Sequence, residues 1–353
     1  MLEIGPGEIA DALARLESRA LGVYPQQCVR SRHRKAKCTL CADNCPTGAI
    51  TWNDPAQIDT AKCIGCGLCA AVCPTGVFEA SSPTNAEILQ QIEGLAKTTS
   101  TIVFACPQVV GEDARGVIRV TCLGRLDASV LIGAAAMGMQ QIELVDSECQ
   151  SCPYNIGHAV AEQAIAESNA LLPAFGIAPC VAFVAQNSLL GQPTLRTKQM
   201  TRVEVEHTSD ESAHATKLTL KKGELPVRVP TKNQLLLSSL RRLANRVGNP
   251  ELDTDLWATV AIKDSCTGCQ MCAFFCPTGA LFKVVEDGKP GLAFKYADCT
   301  DCQLCQEICY TASIELAARV DLRKVIAQTI EVVWSNTPTS SHEEKLKRLR
   351  MFR

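Results

Sequence analysis

The sequence predicts an α/β domain with a parallel sheet at the centre of the chain, flanked on each side by a small α+β module. Two observations carry this. Between residues 100 and 187, apolar strand-like runs alternate with stretches of helical spacing, the pattern of a parallel sheet with crossover helices. On either side of that region the cysteines crowd into short, nearly identical runs, and 21 of the 353 residues are Cys. A secreted disulfide scaffold would be short and would open with a signal peptide. This chain opens Met1-Leu2-Glu3-Ile4, with charges through its first twenty residues and no apolar run. Arg241-Arg242 lies too far inside to be a twin-arginine signal, and the uncharged stretch 169–195 is broken by Pro173, Pro179 and Pro193, so no transmembrane segment is expected. A cytoplasmic, reducing location follows as the expectation, and there tightly spaced cysteines mean metal. Hydrophobic residues at 46%, charged residues at 20% and a net charge of −2 describe a globular chain with no reason to expect nucleic acid or a membrane surface as partner.

The C-terminal module is read from Cys266-x2-Cys269-x2-Cys272-x3-Cys276-Pro277, followed by Cys299-x2-Cys302-x2-Cys305-x3-Cys309. A cubane needs four thiolates at tetrahedral corners. Residues three apart in a tight turn present three of them, and the fourth must come from elsewhere in the chain. This is the two-cluster bacterial ferredoxin signature, in which three cysteines of one run and the last of the other hold each [4Fe–4S] cluster. It assigns one cluster to Cys266, Cys269, Cys272 and Cys309, and the other to Cys299, Cys302, Cys305 and Cys276. Tyr310 stands where Pro usually follows the last cysteine. Zinc would use four ligands as two separated pairs and has no need of the third cysteine in each run.

The N-terminal half repeats the idea. Cys63-x2-Cys66-x2-Cys69-x3-Cys73-Pro74 has the same spacing, and Pro46-Thr47-Gly48, Pro74-Thr75-Gly76 and Pro277-Thr278-Gly279 echo one another, as a duplicated module would. The upstream run, Cys38-x2-Cys41-x3-Cys45, is one cysteine short, with Cys28 ten positions earlier. Cys28 is expected to supply the missing ligand across a looped insertion. One cluster then takes Cys28, Cys38, Cys41 and Cys73, and its neighbour Cys63, Cys66, Cys69 and Cys45; a free Cys28 with a three-iron or absent cluster is the alternative. The insertion carries Arg30, Arg32, His33, Arg34, Lys35 and Lys37. It reads as a solvated loop, or as a cationic edge that docks a partner or raises the potential of the adjacent cluster.

In the central region residues 85–96 have helical spacing, and Thr101 to Ala105 reads as a strand ending at Cys106. A second strand, 117–121, ends at Cys122. Asp127 caps a helix reaching about Gly138, a third strand covers 141–145 and precedes Cys149 and Cys152, a helix spans 156–171, and a last strand runs 180–185. Cys106, Cys122, Cys149 and Cys152 therefore fall at the carboxyl ends of three strands, where an open α/β sheet binds its ligands. Cys180 begins its strand and is expected at the opposite edge as a buried structural thiol.

Cys122-Leu-Gly-Arg-Leu-Asp127 and Glu148-Cys149-Gln-Ser-Cys152-Pro-Tyr154, across roughly residues 100–187, resemble the delta subunit of methyl-viologen-reducing hydrogenase. The family usually has another cysteine near the position of Cys106 and a wider gap in the last pair. The resemblance implies a [2Fe–2S] cluster on Cys106, Cys122, Cys149 and Cys152, and electron passage to a heterodisulfide reductase.

No Walker loop is present, and Gly5-Pro-Gly7-x-x-Ala10 has no preceding strand. His33, His158, His207, His214 and His342 lack ligand spacing and read as solvated or packed. Residues 186–232 read as a polar linker with a short hairpin near Lys222-Gly223, 233–247 as an amphipathic helix, and the stretch after 316 as helical to Trp334, then a basic tail at 345–350. The expected divisions are 1–83 (ferredoxin module with a leading helix), 84–187 (α/β cysteine domain), 188–250 (linker and helix), 251–318 (second ferredoxin module) and 319–353 (helical basic tail).

These readings converge on an electron-transfer subunit of an oxidoreductase complex in anaerobic metabolism, with four [4Fe–4S] clusters and one central cluster arranged as a wire with a branch. Its expected partners are a hydrogenase, a formate or aldehyde oxidoreductase, or a flavin-bearing heterodisulfide-reductase-like subunit. The rival expectation is an enzyme that reduces a disulfide or small molecule at the central cysteines.

Overall fold

A computed structural model describes residues 21–52, 56–80, 82–109, 116–186, 225–286 and 288–335. The leading helix, the hairpin at 222–223, the basic tail, and His207, His214 and His342 lie outside these residues.

The central sheet is the one the apolar runs predict. Its strands are Thr101–Ala105, Val117–Arg119, Gln141–Asp146 and Val181–Ala185. All pairings are parallel, with 101–105 inside between 117–119 and 141–146, and 181–185 at the far edge. Helices Asn85–Leu95, Ala128–Ala136 and Ile156–Leu171 cover it. Thr84 and Glu87 form a capping box at the first helix, and Asp127 caps the second through the Ser129 N–H, so both starts are set by local chemistry. Ile88, Ile92, Ile102, Phe104, Leu131 and Ile142 are sealed between the layers. Cys180 does precede the edge strand, but it is half-buried rather than buried.

The two flanking regions share one plan. In the first, Leu21–Val23 pairs antiparallel with Phe78–Ala80, and Ile50–Trp52 with Ala56–Ile58. In the second, Thr259–Ile262 pairs with Ile314–Ala317, and Leu281–Glu286 with Lys289–Lys295. Each contains two short helices that pack together: Leu40–Asp43 with Leu68–Val72, and Met271–Phe275 with Leu304–Ile308.

Two expectations are corrected. The helix expected over 233–247 runs Thr231–Arg242, entered from Pro230, and its last stretch is a separate 3-10 turn at Ala244–Arg246. The stretch from 316 to Trp334 is not helical throughout. Only Leu322–Ile326 is helix; Gln328 has φ 53°, and Ile330–Ser335 is a strand antiparallel to Lys289–Lys295. Ile330, Val332 and Val333 are β-branched and fit a pleated surface better than a helix.

The three regions pack on one another. Leu236 and Leu240 of the 231–242 helix are buried with Ile132 and Leu171 of the central domain and with Trp257 and Val260 of the second flank. The returning segment 225–232 also holds the first flank. Arg228 donates to Glu79 at 2.5 Å and lies over the Tyr24 ring at 4.0 Å, its own N–H bonds Pro277 O, and Lys232 donates to the carbonyls of Ala70 and Ala71.

Candidate metal centre

In the first flank the Cys41 thiol is pushed up to about 12 by burial, and the charges of Cys73, Cys28 and Cys38 add to the shift. These four side chains therefore stand together, with Cys28, Cys41 and Cys73 buried in one core group. Cys28 lies at the junction of the 3-10 turn Pro25–Gln27 and the short helix Val29–Arg32, which carries it back across the insertion. A second group gathers around Cys69, whose thiol is raised by burial and then by Cys66, Cys41, Cys63 and Cys45. Cys45, Cys63, Cys66 and Cys69 line one apolar cavity with Leu21, Ile50 and Leu68.

The other flank repeats this. Cys266, Cys269, Cys272 and Cys309 line one cavity. Cys305 is raised well above its ordinary value by burial and by Cys302, Cys299, Cys276 and Cys272. Cys269 is the only exposed cysteine among the described residues, beside exposed Met271 and Tyr310. Tyr310, in place of proline, bonds the Thr267 hydroxyl through its own.

Bare thiols collected this way resist ionising: burial opposes the charge and each thiolate repels the next. An iron–sulfide core supplies the missing positive charge, so the donor sets fit a cubane. The last cysteine of each run is further prepared. Thr47, Thr75, Thr278 and Thr311 place their hydroxyls 3.7, 3.7, 3.7 and 3.5 Å from the sulfurs of Cys45, Cys73, Cys276 and Cys309. The N–H groups of Ala49, Val77 and Ser313 donate to the first, second and fourth of these at 3.3 Å. Burial raises Cys45 and Cys309, but these donors outweigh it and hold both below the ordinary thiol value. In the sequence Thr47, Thr75 and Thr278 show only as an echo in the Pro-Thr-Gly repeats, and Thr311, after Tyr310, lies outside that echo.

The charged insertion has a role the sequence does not disclose. Arg32 is buried, 7% exposed. Its guanidinium donates to the carbonyls of Gln26 at 2.9 Å, of Phe275 and Cys276 at 3.3 Å, and of Pro226. Val29 and Ala36 pack with Leu304 and Ile308 of the second flank, and Cys38 and Cys302 border this shared core. His33 meets Phe275 edge-on at 4.9 Å. Arg30 lies over Trp52, 4.7 Å from its ring, and Lys35 is exposed. The insertion is therefore the joint between the flanks.

In the central domain, Cys106, Cys122 and Cys149 share one region at the carboxyl ends of their strands. Burial raises Cys122 to about 11, with Cys66, Cys106 and Cys149 adding their charges. Cys149 is likewise raised to about 11 by burial, with Asp146 and Cys106 contributing. Cys152 follows on the 3-10 turn Cys149–Ser151, and its sulfur accepts the Tyr154 N–H at 3.4 Å. His158, lone by its sequence spacing, lies close to Asp146 and Cys149. A Cβ on Gly157 would come 2.4 Å from the Cys122 sulfur, whereas one on helical Gly94 would meet nothing within 4 Å. Gly157→Ala is therefore expected to cost about 1–3 kcal/mol by overpacking, and Gly94→Ala to be neutral or to stabilise by up to about 1 kcal/mol. Chemical denaturation of both variants checks this; equal midpoints would refute the close approach.

Residues 36–77 and 265–313 match the family model of the 4Fe-4S dicluster domain, and residues 109–189 match that of the methyl-viologen-reducing hydrogenase delta subunit. No curated protein and no solved structure matches the chain.

Proposed function

We propose that this chain, in which two 4Fe-4S dicluster domains flank a domain of the hydrogenase delta-subunit kind, is the electron relay of a multi-subunit oxidoreductase. It holds four [4Fe–4S] clusters on the sixteen cysteines of the flanks, folded as ferredoxin-type modules. A further centre, a [2Fe–2S] cluster, sits on Cys106, Cys122, Cys149 and a fourth donor from the 149–158 segment, where Cys152 stands. The observation that carries this reading is the order of the cysteine groups. Cys122 feels the charge of Cys66; Cys69 feels that of Cys41; Cys38 and Cys302 border one core; and Cys305 feels the charge of Cys272. Read in that order the groups form a single line, not the branched wire that the sequence alone suggests. The line starts at the central domain, crosses both clusters of the first module, passes the Arg32 joint, and ends at the exposed Cys269 turn.

Each cluster, when bound, accepts and returns an electron at a potential set by local charge, hydrogen bonds and exposure. The chain's own residues do the tuning. The threonine hydroxyls and backbone N–H groups stabilise negative charge on sulfur. Arg32 holds a buried positive charge within reach of Cys276 and Cys302, which favours electron occupancy in the middle of the line. Helices and aliphatic side chains keep water from the inner groups, and the Cys269 end stays open to a partner. The partners are oxidoreductase subunits: a hydrogenase, a formate or aldehyde oxidoreductase, or a flavin-bearing heterodisulfide-reductase-like protein.

Two experiments test this. The isolated protein should take electrons from a strong reductant yet turn over no substrate; steady reduction of a disulfide, lost on mutation of Cys106, Cys122 or Cys149, would make it an enzyme instead. Cys28→Ala should convert or remove one cubane of four, because Cys28 alone brings the fourth thiol to Cys38, Cys41 and Cys73. Four undiminished cubane signals in that variant would show that Cys28 is not a ligand.

A further inference from the structure

Cys149 stands where two groups of side chains meet. On one side are Cys106, whose sulfur lies 3.4 Å from the hydroxyl of Ser147 just ahead of Cys149, and Cys122, whose sulfur lies against Gly157. On the other, its sulfur, a nitrogen of His158 and a carboxylate oxygen of Asp146 all lie within 4.8 Å of one another. Asp146 is already engaged, since its Oδ1 accepts the Cys149 backbone N–H at 2.7 Å and so fixes the turn.

His158 is only half engaged. Its side chain is 12% exposed, and Nε2 lies 3.3 Å from Glu162 Oε1. The ring stacks on Phe183 with centroids 4.5 Å apart and planes 21° from parallel, so its orientation is fixed. Nδ1 is buried with no hydrogen-bond partner. A packed histidine ordinarily satisfies both nitrogens. A carboxylate on one nitrogen and an unshared lone pair on the other is the arrangement of a metal-bound imidazole oriented by its outer partner. The backbone also delivers His158 to the right place, since the preceding Gly157 lies against the Cys122 sulfur.

We propose that His158 is a protein ligand of the central centre, sharing one iron with Cys149, while Cys106 and Cys122 hold the other iron and Cys152 is not a ligand. This rests on the reading that the central domain holds a [2Fe–2S] cluster, and it supplies that cluster's fourth donor. Replacing one thiolate by a neutral imidazole makes the centre one charge less negative. Its potential then rises above that of an all-thiolate cluster, as histidine ligation does elsewhere.

Pulsed EPR on the full-length, anaerobically purified protein, reduced until the central signal appears, tests this. The expected result is a strong nitrogen coupling from a directly bound imidazole. His158→Cys should keep the centre, lose that coupling and lower the midpoint potential. Cys152→Ser should leave the spectrum unchanged, whereas Cys149→Ser should remove the centre. A central signal without imidazole coupling, a coupling that survives His158→Cys, or loss of the centre in Cys152→Ser would each overturn the assignment while leaving a central cluster in place. Wild-type protein with no central signal and no iron beyond that of the cubanes would instead overturn the underlying reading, and this one with it.

Discussion

Anaerobically purified protein is expected to carry about sixteen irons in its flanking modules, and about two more in the central domain. Stripping them with a chelator should unfold the flanks and leave the centre folded. The reason lies in what each part has for a core. The flanks have strands of three to seven residues, helices of four or five, and thiols that occupy core positions. Without iron, Cys41 and Cys272, both pushed to about 12 by burial first and neighbouring thiols second, would be neutral groups lining a hole. Small metal-bound modules draw their folding energy from the metal. The central domain, by contrast, packs Ile102, Phe104 and Ile142 of the sheet and Leu131 of its covering helix at no exposure, an apolar core that contains no cysteine of the proposed cluster. Hydrogen exchange on the stripped protein should show fast exchange in residues 36–77 and 265–313 and lasting protection in 101–105 and 141–146. Uniform protection would mean that the flanks fold without clusters.

The second large effect is expected at Arg32. Removing it leaves the carbonyls of Gln26, Pro226, Phe275 and Cys276 without their shared donor inside a joint between modules. Hydrogen bonds to a charged group contribute roughly 1.5–3 kcal/mol each, with the net far below their sum because water can enter. Loss of about 3 kcal/mol from the docking of the two flanks is the expected cost of Arg32→Ala. Arg32→Lys should recover only part, since an ammonium lacks the planar fork that reaches several carbonyls at once. Exchange at residues 28–37 and 304–309 should rise together in both variants, and electron passage between the modules should slow. Unchanged exchange at 304–309 would mean that Arg32 is not what holds the joint.

What the sequence reveals follows the range of the interaction that fixes it. Cysteine runs such as Cys266 to Cys276 encode a turn, so their grouping is legible from spacing alone. So are the helix starts at Thr84 and Asp127, and the parallel strands, whose apolar runs carry Ile102, Phe104, Ile118, Ile142, Leu144 and Val181 into the core. The role of Arg32 is not legible. A run of Arg and Lys looks the same whether it meets water or another module, and its contacts lie 194 to 244 residues away for Pro226, Phe275 and Cys276. His158 is missed for a related reason: it reaches Asp146 and Cys149 through the sheet and the start of a helix, and no sequence interval records that. The strand Ile330–Ser335 is misread because apolar residues following a true helical turn extend its pattern until Gln328 breaks it.

The most direct test of the relay is EPR of the fully reduced protein beside its Cys28→Ala variant. Four reduced cubanes and the reduced central [2Fe–2S] cluster should integrate to about five spins, about four of them from the cubanes, and give one broadened spectrum of mutually coupled centres. Cys28→Ala should remove the link next to the Arg32 joint, so that the coupled pair of the C-terminal module becomes resolved from the remaining N-terminal cluster, which then couples only to the central centre. About three spins or fewer in the wild type, or a variant spectrum still coupled from one end of the line to the other, would contradict the line of clusters proposed for this chain.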